Sequence, residues 1–297
     1  PYDVYATAAD FGLSSNGTAE AKSYFASNLC VSEDVAIGTD STDSQVAEGA
    51  GTFNLETNTV VYAKNLYERL YPASTTKILT AYIALKYCDD LDAMVTVSEN
   101  AVNQASDSSV CNLKAGDVIR LRDLLYGLML RSGNDAAVAI AEYISGDVDS
   151  FAALMNQEAA AMGATRSHFV NPNGLPDENH YTCVYDMYLI FSNAIKNDTF
   201  VSIIGTISYD VTYTDASGEA VTHTWENTNQ YLTGNATTPD GFQIVGGKTG
   251  TTGEAGYCLV LYSYNPSGQP IISIVFKADG KSNLYLLMNE MLQGFAI

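Results

Sequence analysis

The chain has 297 residues, of which 46% are hydrophobic and 16% are charged, and its formal net charge is −20. This length and composition allow a sizeable core, built as one large domain or as two intimately packed ones. The acidic balance argues against nucleic-acid and anionic-membrane partners, which bind basic surfaces. The sequence also has no apolar run long enough to cross a bilayer.

The amino-acid composition changes near residue 45. Residues 1–45 are rich in Ser, Thr, Asp and Ala and are predicted to form an N-terminal extension. Residues 46–297 are predicted to form the main folded domain. It begins with two β-prone runs, 51–55 and 59–63, which flank Glu56-Thr57-Asn58 and therefore predict a hairpin.

Helical spacing of apolar residues dominates the middle of the chain, and strand-like runs dominate its end. Predicted helices cover an apolar run that ends at Leu85 and the segments 121–131, 135–145, 150–162 and 185–196. Predicted strands are 206–213, 220–225, 243–247, 256–264 and 270–276, and a last helix covers about 282–293. We therefore predict an α+β fold. An antiparallel sheet built from both chain ends is flanked by helices and carries a mostly helical insertion over about residues 85–200.

The segment Ser74-Thr75-Thr76-Lys77 follows Pro72 at a predicted helix start. Residues three apart lie on one face of a helix, so Ser74 and Lys77 are expected to face each other. A serine hydroxyl becomes a good nucleophile only when a base takes its proton. A lysine can be that base when burial or a second ammonium group lowers its pKa. The pattern predicts Ser74 as a catalytic nucleophile and Lys77 as its base.

A second motif, Ser132-Gly133-Asn134, lies between two predicted helices, so its side chains can project from a loop into the same cleft. Ser132 would relay a proton as a third catalytic residue, and Asn134 would bind a substrate amide carbonyl. Taken alone, the same residues fit the end of one helix and the N-cap of the next.

The third motif, Lys248-Thr249-Gly250, follows a β-prone run whose edge can pair with an extended peptide. Lys248 would supply the second ammonium group and, with Thr249, hold a substrate carboxylate. Gly250 would leave room for the substrate backbone. Each motif alone is weak, but their order, their spacing and the elements that carry them agree, which favours acyl-transfer chemistry at Ser74.

Metal and cofactor patterns are missing from the sequence. The cysteines have no Cys-x-x-Cys spacing, and the three histidines lie far apart, so neither a metal nor another cofactor is predicted. The cysteines are expected to be buried or half-buried thiols, although one disulfide stays open. His180 is expected to have a polar role in a loop.

At these motifs the chain resembles the serine D-alanyl-D-alanine carboxypeptidases, the low-molecular-mass penicillin-binding proteins of bacterial cell walls. The resemblance covers roughly residues 48–297, whereas residues 1–45 do not match well. The segments that carry it are 70–77, 124–137, 169–175, 180–182, 246–250 and 254–257. It implies a fold of the penicillin-binding protein and β-lactamase type, with residues 46–297 as a transpeptidase-like catalytic domain.

The resemblance also implies a role for each matching residue. Ser74 corresponds to the acylated nucleophile, and Lys248 and Thr249 correspond to residues that bind the terminal carboxylate. The oxyanion hole corresponds to the backbone N–H groups of Ser74 and Thr251. The implied reaction releases the terminal D-alanine of a peptidoglycan stem pentapeptide through an acyl-enzyme that water hydrolyses. β-Lactam antibiotics would be covalent inhibitors at Ser74.

The resemblance implies an exported enzyme on the cell-wall side of the bacterial membrane. Many members continue into a small β-rich domain and a membrane anchor, so membrane association is expected only through segments outside this chain. Many members also carry an arginine near the final helix that contacts the carboxylate. Here the cations in that region are Lys277 and Lys281, which leaves this contact open.

Three other functions compete with the carboxypeptidase. A β-lactamase shares the fold and the motifs but needs a carboxylate that activates water. Glu158, Asp177 and Glu178 are available, but none stands in the Glu-x-x-Leu-Asn setting of class A enzymes. A cross-linking transpeptidase would use an amine in place of water. A non-catalytic penicillin-binding or sensor domain is disfavoured because the set of motif residues is intact.

Overall fold

A computed structural model of the chain describes residues 28–297. The strands are Ala47–Asn54 (β1), Thr59–Lys64 (β2), Met94–Thr96 (β3), Val118–Arg120 (β4), Ser208–Thr214 (β5), Ala220–Glu226 (β6), Gln243–Thr252 (β7), Gly256–Tyr264 (β8) and Pro270–Ala278 (β9). The helices are Lys77–Tyr87 (α1), Glu99–Val102 (α2), Leu121–Tyr126 (α3), Asn134–Ser145 (α4), Val148–Ala161 (α5), Val184–Ala194 (α6), Asp198–Gly205 (α7) and Lys281–Phe295 (α8).

The larger sheet has five strands in the order β2-β1-β9-β8-β7, and every neighbouring pair is antiparallel. Strand β1 from the start of the domain pairs with β9 from its end, so both chain ends build one sheet. The predicted architecture is therefore confirmed. Strand β7, which carries the Lys248 motif, is an edge strand, so one side of its backbone is available for pairing.

The larger sheet packs against a core on each of its two faces. Successive side chains of a strand point to opposite faces, so a single strand contributes to both cores. In β9, Ile272 and Ile274 pack into the larger core among the middle helices. Ile271 and Val275 pack into a second core beneath α8. A strand buried on both faces reads as a continuous apolar run, as β9 does.

A second sheet of four strands has the order β3-β4-β5-β6. The sequence predicted β5 and β6 as strands, but it did not predict β3 and β4, which are three residues each and lie in the segment expected to be mostly helical. The helix Asp198–Gly205 was also not predicted. The small sheet contacts the helix Leu121–Tyr126 and the turn Gly127–Arg131, which precede Ser132.

The described part of the expected extension packs on the domain. The backbone N–H of buried Cys30 donates to the Tyr188 hydroxyl at 2.9 Å, and Ile37 forms a bridge with Ala63. Residues 1–27 lie outside the described residues. All five cysteines are free; four are buried and Cys88 is half-buried. Between residues 28 and 297, no helix is both long and apolar enough to cross a membrane.

Candidate active site

Ser74 lies in a short 3₁₀ turn, Ala73–Thr76, and Lys77 is the first residue of α1. The sequence placed both on one α-helix, but side chains three apart also eclipse each other in a 3₁₀ turn. The Lys77 Nζ atom accordingly donates to Ser74 Oγ at 2.9 Å. Ala73 has a φ of 47°, a left-handed conformation that is strained for a residue with a side chain.

The loop over residues 169–182 holds this turn in place. Gly174 lies so close to it that a Cβ atom there would be 1.8 Å from the Ala73 carbonyl oxygen. Lys77 Nζ donates to the carbonyl of Asn173 at 2.6 Å, and the Thr80 hydroxyl donates to the carbonyl of Pro172 at 2.7 Å. The nucleophile turn and the loop therefore form one packed unit.

The Lys77 ammonium group is fully buried and hydrogen-bonded. Besides Ser74 and Asn173, its Nζ atom donates to Asn134 Oδ1 at 2.8 Å. Burial holds the Lys77 pKa well below its ordinary value, and the nearby charge of Lys248 lowers it further. A lysine with a lowered pKa exists as a neutral amine at a lower pH, which suits it to accept the proton of the neighbouring hydroxyl.

Ser132 and Lys248 form a second hydroxyl–amine pair. Lys248 Nζ donates to Ser132 Oγ at 3.0 Å and to the carbonyl of Thr249 at 2.9 Å. Burial lowers the Lys248 pKa to about 7. Ser132 has a φ of 62° and ends the π-helical turn Gly127–Arg131, a feature that often marks functional sites.

The backbone after Ser132 depends on Cys111, which sequence reasoning did not connect with the site. A Cβ atom on Gly133 would lie 2.3 Å from Cys111 Sγ, so only glycine fits there. The buried carboxylate of Asp135 accepts the N–H groups of Cys111 and Leu113 at 2.9 and 3.1 Å. These bonds fix the loop that supplies Ser109 to the cleft.

Strand β7 passes directly beside the nucleophile turn at Gly250. A Cβ atom there would lie 3.0 Å from Ser74 N and 3.1 Å from Ala73 Cβ and from the Pro72 carbonyl oxygen. The sequence motif predicts that this glycine makes room for the substrate backbone. In the structure, the space is taken by the chain's own turn, which brings Thr251 to the same cleft as Ser74.

The cleft has two compartments that meet at Ser74, with volumes of about 230 and 410 Å³. Of the residues predicted from the sequence, the first compartment is lined by Ser74, Ser132, Thr249, Gly250 and Thr251. The second is lined by Ser74, Thr251 and Asn134. Lys77 and Lys248 are 0% and 1% exposed and lie behind the cleft wall.

Several lining residues were not found from the sequence. The first compartment also contains Ser109, Thr228, Tyr257, Cys258, Leu284 and Tyr285. Single hydroxyl-bearing or apolar residues form no sequence motif that would mark them as part of a site. Of the two lysines near the final helix, Lys281 lines the cleft, whereas Lys277 is paired with Glu48 at 2.7 Å.

His180 lies in the loop, where a polar role was predicted, and its side chain is buried. Its Nδ1 atom accepts the N–H of Val170 at 3.1 Å, so its Nε2–H faces the Thr76 hydroxyl at 2.8 Å. Burial lowers its pKa to about 4, which keeps the ring neutral at ordinary pH. His180 thus joins the loop to the nucleophile turn.

The carboxylates considered for a β-lactamase do not line either compartment in the described structure. Glu158 is buried elsewhere, where it accepts hydrogen bonds from Lys86 and Tyr87 at 2.6 Å each. Asp177 and Glu178 are exposed in the loop. Within residues 28–297, no group of three His, Cys, Asp or Glu side chains is arranged to hold a metal ion.

Comparison with known proteins places the chain in a family. The family described as D-alanyl-D-alanine carboxypeptidase matches residues 38–280. The chain is 34% identical over 251 residues to D-alanyl-D-alanine carboxypeptidase DacF of Bacillus subtilis, covering 83% of this chain and 61% of that protein. It is also 34% identical to the D-alanyl-D-alanine carboxypeptidase of Streptomyces sp. strain K15, covering 84% of this chain and 88% of that protein. The chain belongs to the D-alanyl-D-alanine carboxypeptidase family.

Solved structures agree with this assignment. The crystal structure of the Streptomyces K15 DD-transpeptidase is similar with a TM-score of 0.76 at 33% identity, over 85% of this chain and 98% of that one. D-alanyl-D-alanine carboxypeptidase DacD from Francisella tularensis is similar with a TM-score of 0.74 at 27% identity, over 94% of this chain and 74% of that one. The predicted penicillin-binding-protein type of fold is confirmed.

Proposed function

We propose that this chain is a serine D-alanyl-D-alanine carboxypeptidase that releases the terminal D-alanine of peptidoglycan stem pentapeptides. The observation that carries the proposal is the buried Lys77 amine, which is hydrogen-bonded at 2.9 Å to the Ser74 hydroxyl in a cleft. Family membership supports the same reaction. Since the chain spans only 61% of the Bacillus relative, its substrates and partners are part of the proposal.

In the proposed mechanism, Lys77 takes the Ser74 proton while Ser74 Oγ attacks the carbonyl of the penultimate D-alanine. The backbone N–H groups of Ser74 and Thr251 would stabilise the oxyanion. Asn134 would bind the upstream amide of the substrate. The closeness of strand β7 to the Ser74 turn supports this placement.

Expulsion of D-alanine requires a proton on the leaving amine. The Ser132 hydroxyl, which lines the cleft and accepts a hydrogen bond from Lys248 Nζ at 3.0 Å, would give it and be resupplied by Lys248. Water then attacks the acyl-enzyme and regenerates the Ser74 hydroxyl. β-Lactams would acylate the same hydroxyl, because their ring amide takes the place of the scissile peptide bond.

The substrate's terminal carboxylate would lie in the first compartment beside Thr249, with Lys281 as the available cation. Strand β7 would lead the upstream stem peptide along Thr251 towards the second compartment. We also propose that residues 46–297 act as one catalytic domain and that the protein works on the cell-wall side of the membrane, where this substrate occurs.

One observation favours a second candidate. The similar Streptomyces K15 structure is described as a DD-transpeptidase. The same acyl-enzyme, attacked by an amine in place of water, would give a cross-linked product.

The test is D-alanine release from an N-acylated peptide ending in L-Lys-D-Ala-D-Ala, with and without an added amine acceptor. Release by the wild type and its loss in Ser74→Ala is the expected result. A Ser74→Ala protein that releases D-alanine at the wild-type rate would refute the mechanism. An amide product that replaces most of the hydrolysed peptide would identify the transpeptidase.

A further inference from the structure

The first compartment of the cleft contrasts in charge with the rest of the protein. The chain has 34 acidic and 14 basic residues. Yet among the described residues that line this compartment, one is a lysine, Lys281, and none is a carboxylate. In an acidic protein, a compartment without carboxylates and with hydroxyl donors favours an anionic group of a ligand.

The buried ammonium group of Lys248 is not free to meet that anion directly. It is 1% exposed, and two of its three N–H groups already donate to Ser132 Oγ and to the Thr249 carbonyl, so its burial restricts direct contact. The polar side chains that line the compartment include those of Thr228, Thr249 and Lys281, each of which can donate to an anion. These side chains are therefore available to recognise the anion.

The hydroxyls of Thr228 and Thr249 lie 2.6 Å apart. A hydroxyl group has one proton to donate. One proton of the pair is used between the two oxygens, and the other is left to donate to a ligand. The contact also fixes the direction of both hydroxyls, so that less side-chain freedom is lost when a ligand binds.

Thr228 is held by a turn that is anchored on two sides. The Nδ2 atom of Asn227 donates to the Thr206 carbonyl at 2.9 Å. The N–H of Gln230 donates to the hydroxyl of Tyr285 on α8 at 2.9 Å. The Thr228 hydroxyl is therefore presented by a fixed backbone between the small sheet and the closing helix.

We propose that Thr228 is a specificity-determining residue for the substrate's terminal carboxylate, to which the hydrogen-bonded pair of Thr228 and Thr249 donates. The proposal rests on the proposed carboxypeptidase function and adds a residue outside the three sequence motifs. It requires that loss of the Thr228 hydroxyl weakens recognition of a carboxylate while recognition of an uncharged end changes little.

The test compares Thr228→Val, which keeps the shape of the side chain, with Thr228→Ser, which keeps the hydroxyl. Two N-acylated peptides ending in D-Ala-D-Ala are used, one with a free carboxylate and one with a terminal carboxamide. For Thr228→Val we expect kcat/KM on the carboxylate peptide to fall about tenfold, mainly through KM, as for the loss of one hydrogen bond to a charged group. We expect the carboxamide peptide to change less than about twofold and Thr228→Ser to resemble the wild type.

An equal fall for both peptides, or no fall for either, would overturn the proposal. Calorimetric binding of the same peptides to Ser74→Ala, with and without Thr228→Val, makes the test independent of turnover. If Thr228→Val selectively weakens binding of the carboxylate peptide there, the proposal holds even if D-alanine release fails. If adding Thr228→Val changes the affinity for the two peptides equally, or changes neither, the proposal is contradicted.

Discussion

The contact between strand β7 and the nucleophile turn predicts the effect of Gly250→Ala. The new Cβ atom would lie 3.0 Å from Ser74 N and 3.1 Å from the Pro72 carbonyl oxygen, where ordinary contacts are 3.4 to 4 Å. Because both atoms belong to the backbone, no side-chain rotation relieves the contact, and the strand must move by a few tenths of an ångström. That movement changes the separation of the Ser74 and Thr251 N–H groups.

We expect Gly250→Ala to lower the free energy of unfolding by about 1–3 kcal/mol, as overpacking does. We expect a larger effect on the rate of acylation. Misplacement of one oxyanion donor costs up to about 10²-fold, so the acylation rate constant should fall about 10- to 100-fold. The assay follows acylation by benzylpenicillin with intact-mass spectrometry, and thermal unfolding is followed by circular dichroism.

Gly253→Ala is the matched control. It lies three residues further along the chain, and a Cβ atom there would meet nothing within 4 Å. Its stability and acylation rate should stay near those of the wild type. If folded Gly250→Ala is acylated as fast as Gly253→Ala, the close approach of β7 does not position the oxyanion donors, and the reasoning is refuted.

Three further predictions concern buried titratable groups. Lys248→Met removes an ammonium group that lowers the Lys77 pKa, so the acid limb of the pH profile for acylation should move to higher pH. The control is Lys277→Met, which lies outside the cleft. An acid limb that does not move in Lys248→Met would contradict this prediction. Between pH 6.5 and 4, the free energy of unfolding of the wild type should fall by about 3 kcal/mol more than that of His180→Asn. Urea titrations at each pH measure both values, and an equal pH dependence of the two proteins would refute the prediction. In Asp135→Asn, an amide group faces the backbone N–H groups that donate to the carboxylate, so the free energy of unfolding should fall by about 2–4 kcal/mol. A urea midpoint like that of the wild type would contradict the role of Asp135 in holding this loop.

The sign of the His180 effect follows from its lowered pKa. The folded protein holds the ring neutral down to about pH 4, whereas the unfolded chain protonates it near 6.5. Above pH 6.5 neither state binds the proton, and the full stability is present. As the pH falls through that window, the unfolded state gains a proton that the folded state does not, and stability is lost.

The sequence predicted the parts of the site that local spacing determines. Ser74 and Lys77 lie three residues apart, so even the change from α-helix to 3₁₀ turn left them in contact. The sequence also predicted that both chain ends build one antiparallel sheet, because long strand-like runs there have few other ways to bury their apolar residues, but it did not predict the order of the strands.

The remaining parts of the site depend on tertiary contacts that leave no recognisable pattern in the sequence. The Asn173 group that binds Lys77 is a backbone carbonyl, which any residue supplies. Thr228 is one of many threonines, and only its distance of 2.6 Å from Thr249 distinguishes it. The strands Met94–Thr96 and Val118–Arg120 are too short to show a period of two.

The central claim is that Ser74 forms the covalent intermediate. The most direct test is an intact-mass time course with benzylpenicillin, followed by peptide digestion to locate the adduct. We predict one adduct per chain, located on the peptide that contains Ser74, persistent for many minutes and missing from Ser74→Ala. An adduct on another residue, or one that forms equally in Ser74→Ala, would contradict the account.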